Sequence, residues 1–92
     1  MNFLFEWDEE KADININKHH VNFQEGVTVF DDLGIATIYD PDHSNYEERY
    51  ISIGYSLQGR LIVVSYTEHE ETIRIISCRK ATKKERKTYE EY

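Results

Sequence analysis

Alternating apolar and polar positions in the second half of the chain predict four consecutive β-strands. In the clearest of them, residues 49–56, Ile51, Ile53 and Tyr55 alternate with smaller or polar side chains. The strands are expected over 35–39, 49–56, 61–67 and 72–78, separated by a loop over 40–45, a hairpin turn at Gln58-Gly59 and a polar tip over 68–71. Short connections of this kind join antiparallel neighbours.

Capping residues mark the start of three helices. Asp8 is placed to cap a first helix that runs to about Lys18, with Ala12 and Ile16 as a thin apolar stripe. Asn22 followed by Glu25 has the spacing of a capping box and starts a second helix. Its core face is predicted to contain Phe23, Val27 and Phe30, and residues 31–34 end it. Thr82 with Glu85 repeats the capping-box spacing and starts a last helix.

These elements predict an α+β fold. Residues 2–7 are short and aromatic-rich and are expected to form a first strand, so the order of elements is β-α-α-β-β-β-β-α. Two N-terminal helices and one C-terminal helix would then pack on a mainly antiparallel sheet. A length of 92 residues predicts a single domain over residues 1–92.

Composition points to the cytoplasm. No segment at the N-terminus has the pattern of a signal peptide, and the longest aliphatic run, Leu61-Ile62-Val63-Val64, is far too short to span a membrane. Cys78 is the single cysteine and has no internal partner for a disulfide. Together these features indicate a reducing, cytoplasmic environment without membrane contact.

The charges of the chain are segregated. The net charge is −7, yet residues 74–87 contain seven of the eleven Lys and Arg residues and a single acidic residue, Glu85. That stretch is therefore +6 and the rest of the chain is −13. Such a distribution suits a chain with two partners of opposite charge, although a basic C-terminal helix that only balances an acidic body is an equally good interpretation.

Five phrases of the chain, spanning about residues 3 to 89, resemble the BrnT family of bacterial toxins. Each phrase alone is weak, and their shared order is the stronger signal. They are, in chain order, Phe5-Glu6-Trp7-Asp8 with Lys11; Asn15, Lys18-His19 and Val21-Asn22-Phe23; Val29-Phe30-Asp31-Asp32; Asp42-His43-Ser44 with Glu47-Glu48-Arg49 and Ile53-Gly54; and Ile73-Arg74-Ile75-Ile76-Ser77-Cys78-Arg79 with Ala81-Thr82, Glu85-Arg86 and Tyr89.

Three residues depart from the family pattern. His20 stands where the family usually has glycine, and Gly26 and Cys78 each stand where it usually has alanine. None of the three removes a charged residue of the motifs. His20 puts the geometry of the turn between the first two helices in question.

The resemblance implies a RelE-like fold and a ribonuclease toxin of a bacterial type II toxin–antitoxin pair, which arrests growth by cleaving RNA. It also implies a BrnA-like antitoxin that binds operator DNA, so that this chain would reach DNA only through its partner. Two other functions remain open. One is a catalytically inert toxin homologue that acts as an antitoxin-binding co-repressor module, and the other is RNA binding without cleavage.

RNA cleavage without a metal or other cofactor uses the substrate's 2′-hydroxyl as nucleophile and needs a base, an acid and a cation for the phosphate. Arg74 and Arg79 are the candidates for the cation, since a guanidinium matches two phosphate oxygens. Strand alternation would put these two on opposite faces, unless the strand ends or bulges before residue 79. The alternative for each arginine is a surface ion pair with the acidic body.

His19 is the best acid–base candidate because an ordinary histidine titrates near neutrality. The alternative is that His19 only stabilises the C-terminus of the first helix. Glu85 is a second candidate, although a capping-box role is favoured for it. His43 lies in a polar loop, close in sequence to Arg49, and is also a candidate. His19 and His20 are adjacent and project differently, and neither a Cys–His spacing nor an HExxH motif is present, so no metal site is predicted.

A further set of residues is predicted to bind RNA without taking part in the chemistry. Arg49 is a candidate phosphate contact or a cross-strand ion pair, and Tyr89 is either a base-stacking residue or, more simply, a packing residue of the last helix. The basic residues of that helix are expected to attract phosphates non-specifically or to receive an acidic antitoxin segment. The predicted RNA-binding residues are Lys18, Arg49, Lys83, Arg86 and Tyr89.

Overall fold

The computed structural model of the chain describes residues 3–43 and 47–92. The elements follow the predicted order and confirm the α+β fold class. They are β1 (Leu4–Glu6), α1 (Glu9–His19), α2 (Phe23–Thr28), β2 (Ala36–Tyr39), β3 (Arg49–Tyr55), β4 (Leu61–His69), β5 (Thr72–Lys80) and α3 (Lys83–Glu91), with 3₁₀ turns at Val29–Asp31 and Pro41–His43. None of these helices is long and apolar enough to cross a membrane.

The five strands form one sheet in the order β1-β5-β4-β3-β2. β2, β3, β4 and β5 pair antiparallel, as short hairpin connections require. β1 pairs parallel with β5, which the long connection through the two N-terminal helices and the antiparallel meander permits. The prediction of a mainly antiparallel sheet is therefore confirmed.

β4 runs through the middle of the sheet and separates two cores. Ile62, Val64 and Tyr66 point toward α1 and α2 and join the larger core, which also contains Phe23. Leu61 and Val63 alternate with them and join a smaller core on the opposite face, against which Tyr89 of α3 packs. The helices consequently lie on both faces of the sheet, α1 and α2 on one and α3 on the other.

The predicted capping residues start all three helices. The Asp8 carboxylate accepts from the N–H groups of Glu10 and Lys11, at 2.9 and 3.1 Å, and begins α1. Thr82 and Glu85 form a complete capping box at the start of α3.

The capping box predicted for α2 is only half formed. Asn22 accepts from the Glu25 N–H at 2.7 Å. The buried Glu25 carboxylate turns away instead, toward Ser56 at 2.7 Å and the guanidinium of Arg60. The bonds between Arg60 and Glu25 connect the β3–β4 hairpin to α2. The hydrogen bond from Arg60 holds the pKa of the Glu25 carboxyl below its usual range, although burial alone would raise it. Glu25 therefore bonds to the charged Arg60 rather than to the backbone N–H at the start of its own helix.

α1 buries a different face from the predicted one. Ala12 is buried as expected, but Ile16 is 42% exposed and the second buried residue is Asn15. The Asn15 amide donates to the carbonyl oxygens of Val21 and Cys78, at 2.9 and 2.8 Å, and its oxygen accepts from the Cys78 N–H at 3.2 Å. Its hydrogen bonds compensate for the burial of a polar side chain, which periodicity of apolar residues could not indicate.

Several element boundaries also differ from the predicted ones. β4 and β5 each continue two residues further than expected, to His69 and Lys80, so the tip between them is shorter. α2 ends at Thr28, and the completely buried Val29 lies in the 3₁₀ turn that follows.

His20 explains why the family pattern favours glycine at the turn between α1 and α2. It caps α1 in the left-handed region, with φ 59° and ψ 33°, and its N–H donates to the Ile16 carbonyl. A side chain with a Cβ pays a steric cost in this conformation that glycine does not. His20 adopts this conformation nonetheless, so the turn between α1 and α2 forms without a glycine.

Gly26 and Cys78, the other two departures from the family pattern, face each other. A Cβ built on Gly26 would overlap the Cys78 sulfur, and Val64 closes the same space from the side. Cys78 is completely buried, and burial, with a smaller contribution from the Glu25 charge, raises the pKa of its thiol to about 12. Cys78 is larger than the alanine of the family pattern, and Gly26 is smaller than the alanine at its position. The Cys78 sulfur therefore occupies the space that a side chain on residue 26 would fill.

We predict that Gly26→Ala alone lowers the free energy of unfolding by about 1–3 kcal/mol, because it overpacks the contact with Cys78. Gly26→Ala with Cys78→Ala should recover most of that loss, since it removes the sulfur and adds a better helix former. Urea unfolding of the wild type, both single variants and the double variant gives the coupling energy. Additive effects of the two substitutions would contradict the packing argument.

Candidate functional site

A β-bulge in β5 decides which side chains share a face of the sheet. The register runs from Ser65 opposite Ser77 directly to Tyr66 opposite Ile75, so Ile76 is an extra residue in β5. Before the bulge, Arg74 points away from α1 and α2. After it, Arg79 points the same way, despite its odd separation in sequence from Arg74. The alternative in which the strand bulges before residue 79 is therefore the one that the structure adopts.

The bulge produces a polar surface on the half of the α3 face that α3 does not cover. We call it the open face and define it by the cross-strand rows Arg49–Thr67–Arg74 and Ile51–Ser65–Ser77. The adjoining row, Ile53–Val63–Arg79, leads into the small core beneath α3. Arg49 and Arg74 thus lie on either side of Thr67, on two strands that are not neighbours in sequence.

Arg74 makes a weak ion pair. Its guanidinium lies 3.4 Å from the Glu6 carboxylate, its parallel neighbour on β1, and the two side chains are 41% and 54% exposed. Pairs this long and this exposed to water contribute little to stability, so a phosphate can replace Glu6 at small cost.

Arg79 makes a strong ion pair. Both of its terminal nitrogens donate to the two oxygens of Glu85, at 2.7 Å each, and Glu85 also accepts from the Thr82 N–H. The hydrogen bonds from Arg79 lower the pKa of Glu85 to about 2, and the same bonds raise the pKa of Arg79. Glu85 thereby joins the capping box to β5, and its two oxygens are both occupied.

His19 and Lys18 lie at the other side of β5, along its edge. β1 pairs only with Thr72–Arg74, so α1 rather than a strand flanks the remainder of β5. A groove of about 190 Å³ lies between them, which we call the α1 groove. It is lined by Lys11, Ile14, Asn15, Lys18, His19, Ile76 and Ser77.

A second groove, of about 270 Å³, lies on the open face and contains Arg49. We call it the sheet groove, and it is lined by Asp40, Arg49, Tyr50, Ile51, Ser65, Ile76 and Ser77. Sequence patterns did not single out Ser65, Ser77 or Asp40 as site residues. Their proximity depends on the bulge and the strand register, for which the sequence has no local marker.

The three predicted RNA-binding residues of α3 differ in their surroundings. Tyr89 donates to the Asp32 carboxylate at 2.7 Å and packs edge-on against Tyr55, so it anchors the helix. Burial tends to raise the pKa of Asp32, but hydrogen bonds from the Tyr55 N–H, the Tyr89 hydroxyl and the Gly34 N–H outweigh it and lower the pKa. Arg86 donates to the Tyr55 hydroxyl at 2.9 Å, whereas Lys83 is exposed.

The side chain of His43 lies outside the described residues, as do residues 44–46, so its candidacy stays a prediction. In the part of the chain that the structure describes, no three His, Cys, Asp or Glu side chains cluster as metal ligands would.

Comparison with known proteins agrees with the fold. The chain is similar to the 1.1 Å crystal structure of the Brucella abortus ribonuclease toxin BrnT, with a TM-score of 0.65 and 22% sequence identity over 89% of this chain and 100% of that one. No curated protein sequence matches it. A family model described as the ribonuclease toxin BrnT of type II toxin–antitoxin systems matches residues 7–85. This chain therefore belongs to the BrnT family of type II toxin–antitoxin ribonuclease toxins.

Proposed function

We propose that this chain is a cytoplasmic toxin domain that cleaves RNA without a metal ion, by attack of the substrate's 2′-hydroxyl on the adjacent phosphate. The observation that carries the proposal is the β5 bulge, which places Ser77 and Arg79 on the same face as Arg74, where the strand register also places Arg49 and Ser65. Arginine forks supply the positive charge that the pentacoordinate phosphate requires.

Arg74 is the residue that we assign to the phosphate. Its present partner, Glu6, is distant and solvated, so the guanidinium can rotate toward a substrate on the open face without leaving a buried charge unpaired. Arg49, on the far side of Thr67, is positioned to contact a neighbouring phosphate.

Arg79 and Glu85 have a different role in this proposal. Glu85 acts as a positioning residue that holds Arg79 and the first turn of α3 against the end of β5. A carboxylate with a pKa of about 2 and two charged hydrogen bonds is a poor proton acceptor near neutrality. Arg79 borders the open face and adds a third guanidinium to those of Arg49 and Arg74.

His19 remains the acid–base candidate. It lines the α1 groove together with Ser77, and Ser77 also lines the sheet groove that contains Arg49. A substrate that lies over the bulge therefore approaches both His19 and the arginine-bearing face. We propose that His19 exchanges a proton with the substrate, either with the 2′-hydroxyl or with the leaving oxygen.

The partner in this proposal is a BrnA-like antitoxin, since the family consists of toxins of type II pairs. An antitoxin that covers the open face would inhibit the enzyme, and the complex would contact operator DNA only through the antitoxin. The basic residues of α3, including Lys83 and Arg86, attract RNA or receive an acidic segment of that partner.

We predict that Arg74→Ala abolishes growth arrest and lowers the rate of RNA cleavage about 100-fold or more, as loss of a single transition-state donor does in other enzymes. Arg74→Lys should recover part of the rate, because it restores the charge but not the fork. Cleavage is measured on purified protein with EDTA present, and growth is measured on induction of the chain alone.

Lys80→Ala is the matched control for Arg74→Ala, because it removes an exposed cation from the end of the same strand. It should leave cleavage and growth arrest unchanged. An Arg74→Ala protein that is folded and fully active would overturn the assignment. A folded wild type that neither cleaves RNA nor arrests growth would favour the inert, antitoxin-binding homologue.

We predict that Glu85→Gln reduces stability but not the chemistry. The folded-state pKa of about 2 lies below the ordinary value of 4.5, so this carboxylate stabilises the fold above about pH 4.5 and loses that effect as the pH falls toward 2. As the pH falls through that window, Glu85→Gln should therefore lose less stability than the wild type does. The loss that the variant still shows is attributed to Glu25 and Asp32, whose pKa values are also lowered in the folded state.

Chemical unfolding at a series of pH values tests this expectation. Glu90→Gln, an exposed change on the same helix, is the control. Cleavage is measured alongside at neutral pH, under conditions where each variant stays folded. A fall of 100-fold or more in cleavage by folded Glu85→Gln protein would instead identify Glu85 as the general acid or base.

A further inference from the structure

The α1 groove and the sheet groove meet at the bulge. Both are lined by Ile76, the extra residue of the bulge, and by Ser77, which lies opposite Ser65. One groove lies between α1 and β5, and the other lies on the open face. The two grooves therefore adjoin at the stretch of β5 that β1 does not pair with, and we call the two together the channel.

Two hydroxyl groups lie at the centre of this channel. Ser65 and Ser77 are cross-strand neighbours and are both partly exposed. Neither hydroxyl makes a hydrogen bond to another described residue, whereas every buried side-chain nitrogen and oxygen of the described residues has a partner. They are therefore available to a ligand that lies in the channel.

The α1 end of the channel is basic, although the protein as a whole is acidic. Lys11 and Lys18 are separated by two helical turns and line the α1 groove together, with no carboxylate in its lining. Neither lysine has an ion pair among residues 3–43 and 47–92. Arg49 lines the other end, beside Asp40.

We propose that one strand of RNA follows this channel, with Lys11 and Lys18 on phosphates at the α1 side and Ser65 and Ser77 on the ribose–phosphate linkage at the bulge. The proposal rests on the ribonuclease function proposed above and specifies its substrate as single-stranded. Lysine, arginine and serine are among the side chains that contact the nucleic-acid backbone. A channel that bends around a strand edge accepts a flexible single strand, whereas a duplex is bound by the shape of its outer surface.

Binding of a fluorescently labelled, single-stranded RNA with 2′-O-methyl riboses tests the channel, because this probe is not cleaved. Lys11→Ala with Lys18→Ala should weaken binding and reduce the slope of log affinity against log salt by about 1.4, at roughly 0.7 for each lost phosphate contact on a single strand. Ser65→Ala with Ser77→Ala should weaken binding about tenfold or more and leave the salt slope unchanged.

Two comparisons make the result specific. Lys84→Ala with Lys87→Ala, the α3 pair, removes the same charge from α3. It should change the slope of log affinity against log salt less than Lys11→Ala with Lys18→Ala, the α1 pair, does. Thr88→Ala removes a hydroxyl that bonds only within its own helix and should leave binding unchanged. A duplex of the same sequence and ribose chemistry should bind more weakly than the single strand.

The outcomes separate the channel from the enzymatic function. A wild type that cleaves RNA, while the α1 pair and the serine pair retain wild-type affinity, would overturn the channel alone. A larger slope change from the α3 pair would place the strand on α3 and would also overturn it. A folded wild type that neither binds nor cleaves RNA would overturn the proposed function itself.

Discussion

The extra residue in β5 determines the character of both faces of the sheet. Because Ile76 has no partner of its own on β4, the alternation of β5 shifts by one residue between Ile75 and Ser77. Ile73, Ile75 and Cys78 can then all point into the larger core, while Arg74, Ser77 and Arg79 all point to the opposite side. Without the shift, one half of the strand would bury charge or expose its apolar side chains.

Asn15 holds the bulged strand in place. Its side chain bonds to both the N–H and the carbonyl of Cys78, much as a neighbouring strand would, and also to the carbonyl of Val21 in the turn between α1 and α2. Removing this amide would leave buried backbone groups unpaired, at a cost of about 1–3 kcal/mol for each group. The same contacts fix α1 beside the edge of β5 and thus set the width of the α1 groove, so stability and the candidate site depend on one side chain.

The parts of the fold that depend on local chemistry were predictable from the sequence. Asp8, Asn22 and Thr82 cap helices because their side chains reach only a few residues along the chain, and the strands of the meander have strong apolar alternation. The predictions that were wrong concern side chains whose partners are distant in the sequence. Glu25 bonds to Arg60 rather than to its own helix terminus, and Asn15 rather than Ile16 is buried, because Cys78 lies opposite it.

The candidate site could be predicted only as a set of residues. Arg74, Arg79, His19 and Glu85 could be identified as candidates from the sequence. Their faces could not be assigned, because the position of a bulge depends on pairing with β4. The pairing of Arg79 with Glu85 was equally hidden, although the capping role of Glu85 was foreseen. Ser65 carried no signal at all, since a serine in a strand is common and becomes informative only beside Ser77 and Arg49.

The position of bound RNA on the protein tests the role of the β5 bulge more directly than any single substitution. Nuclear magnetic resonance of ¹⁵N-labelled protein, titrated with the uncleavable 2′-O-methyl strand, reports the amides that change on binding. If the β5 bulge builds the RNA site, the largest changes occur at Arg49, Ser65, Arg74 and Ser77, with smaller ones along the groove-facing side of α1. Changes confined to α3, or to the buried face beneath α1 and α2, would contradict the claim that the β5 bulge builds the RNA site.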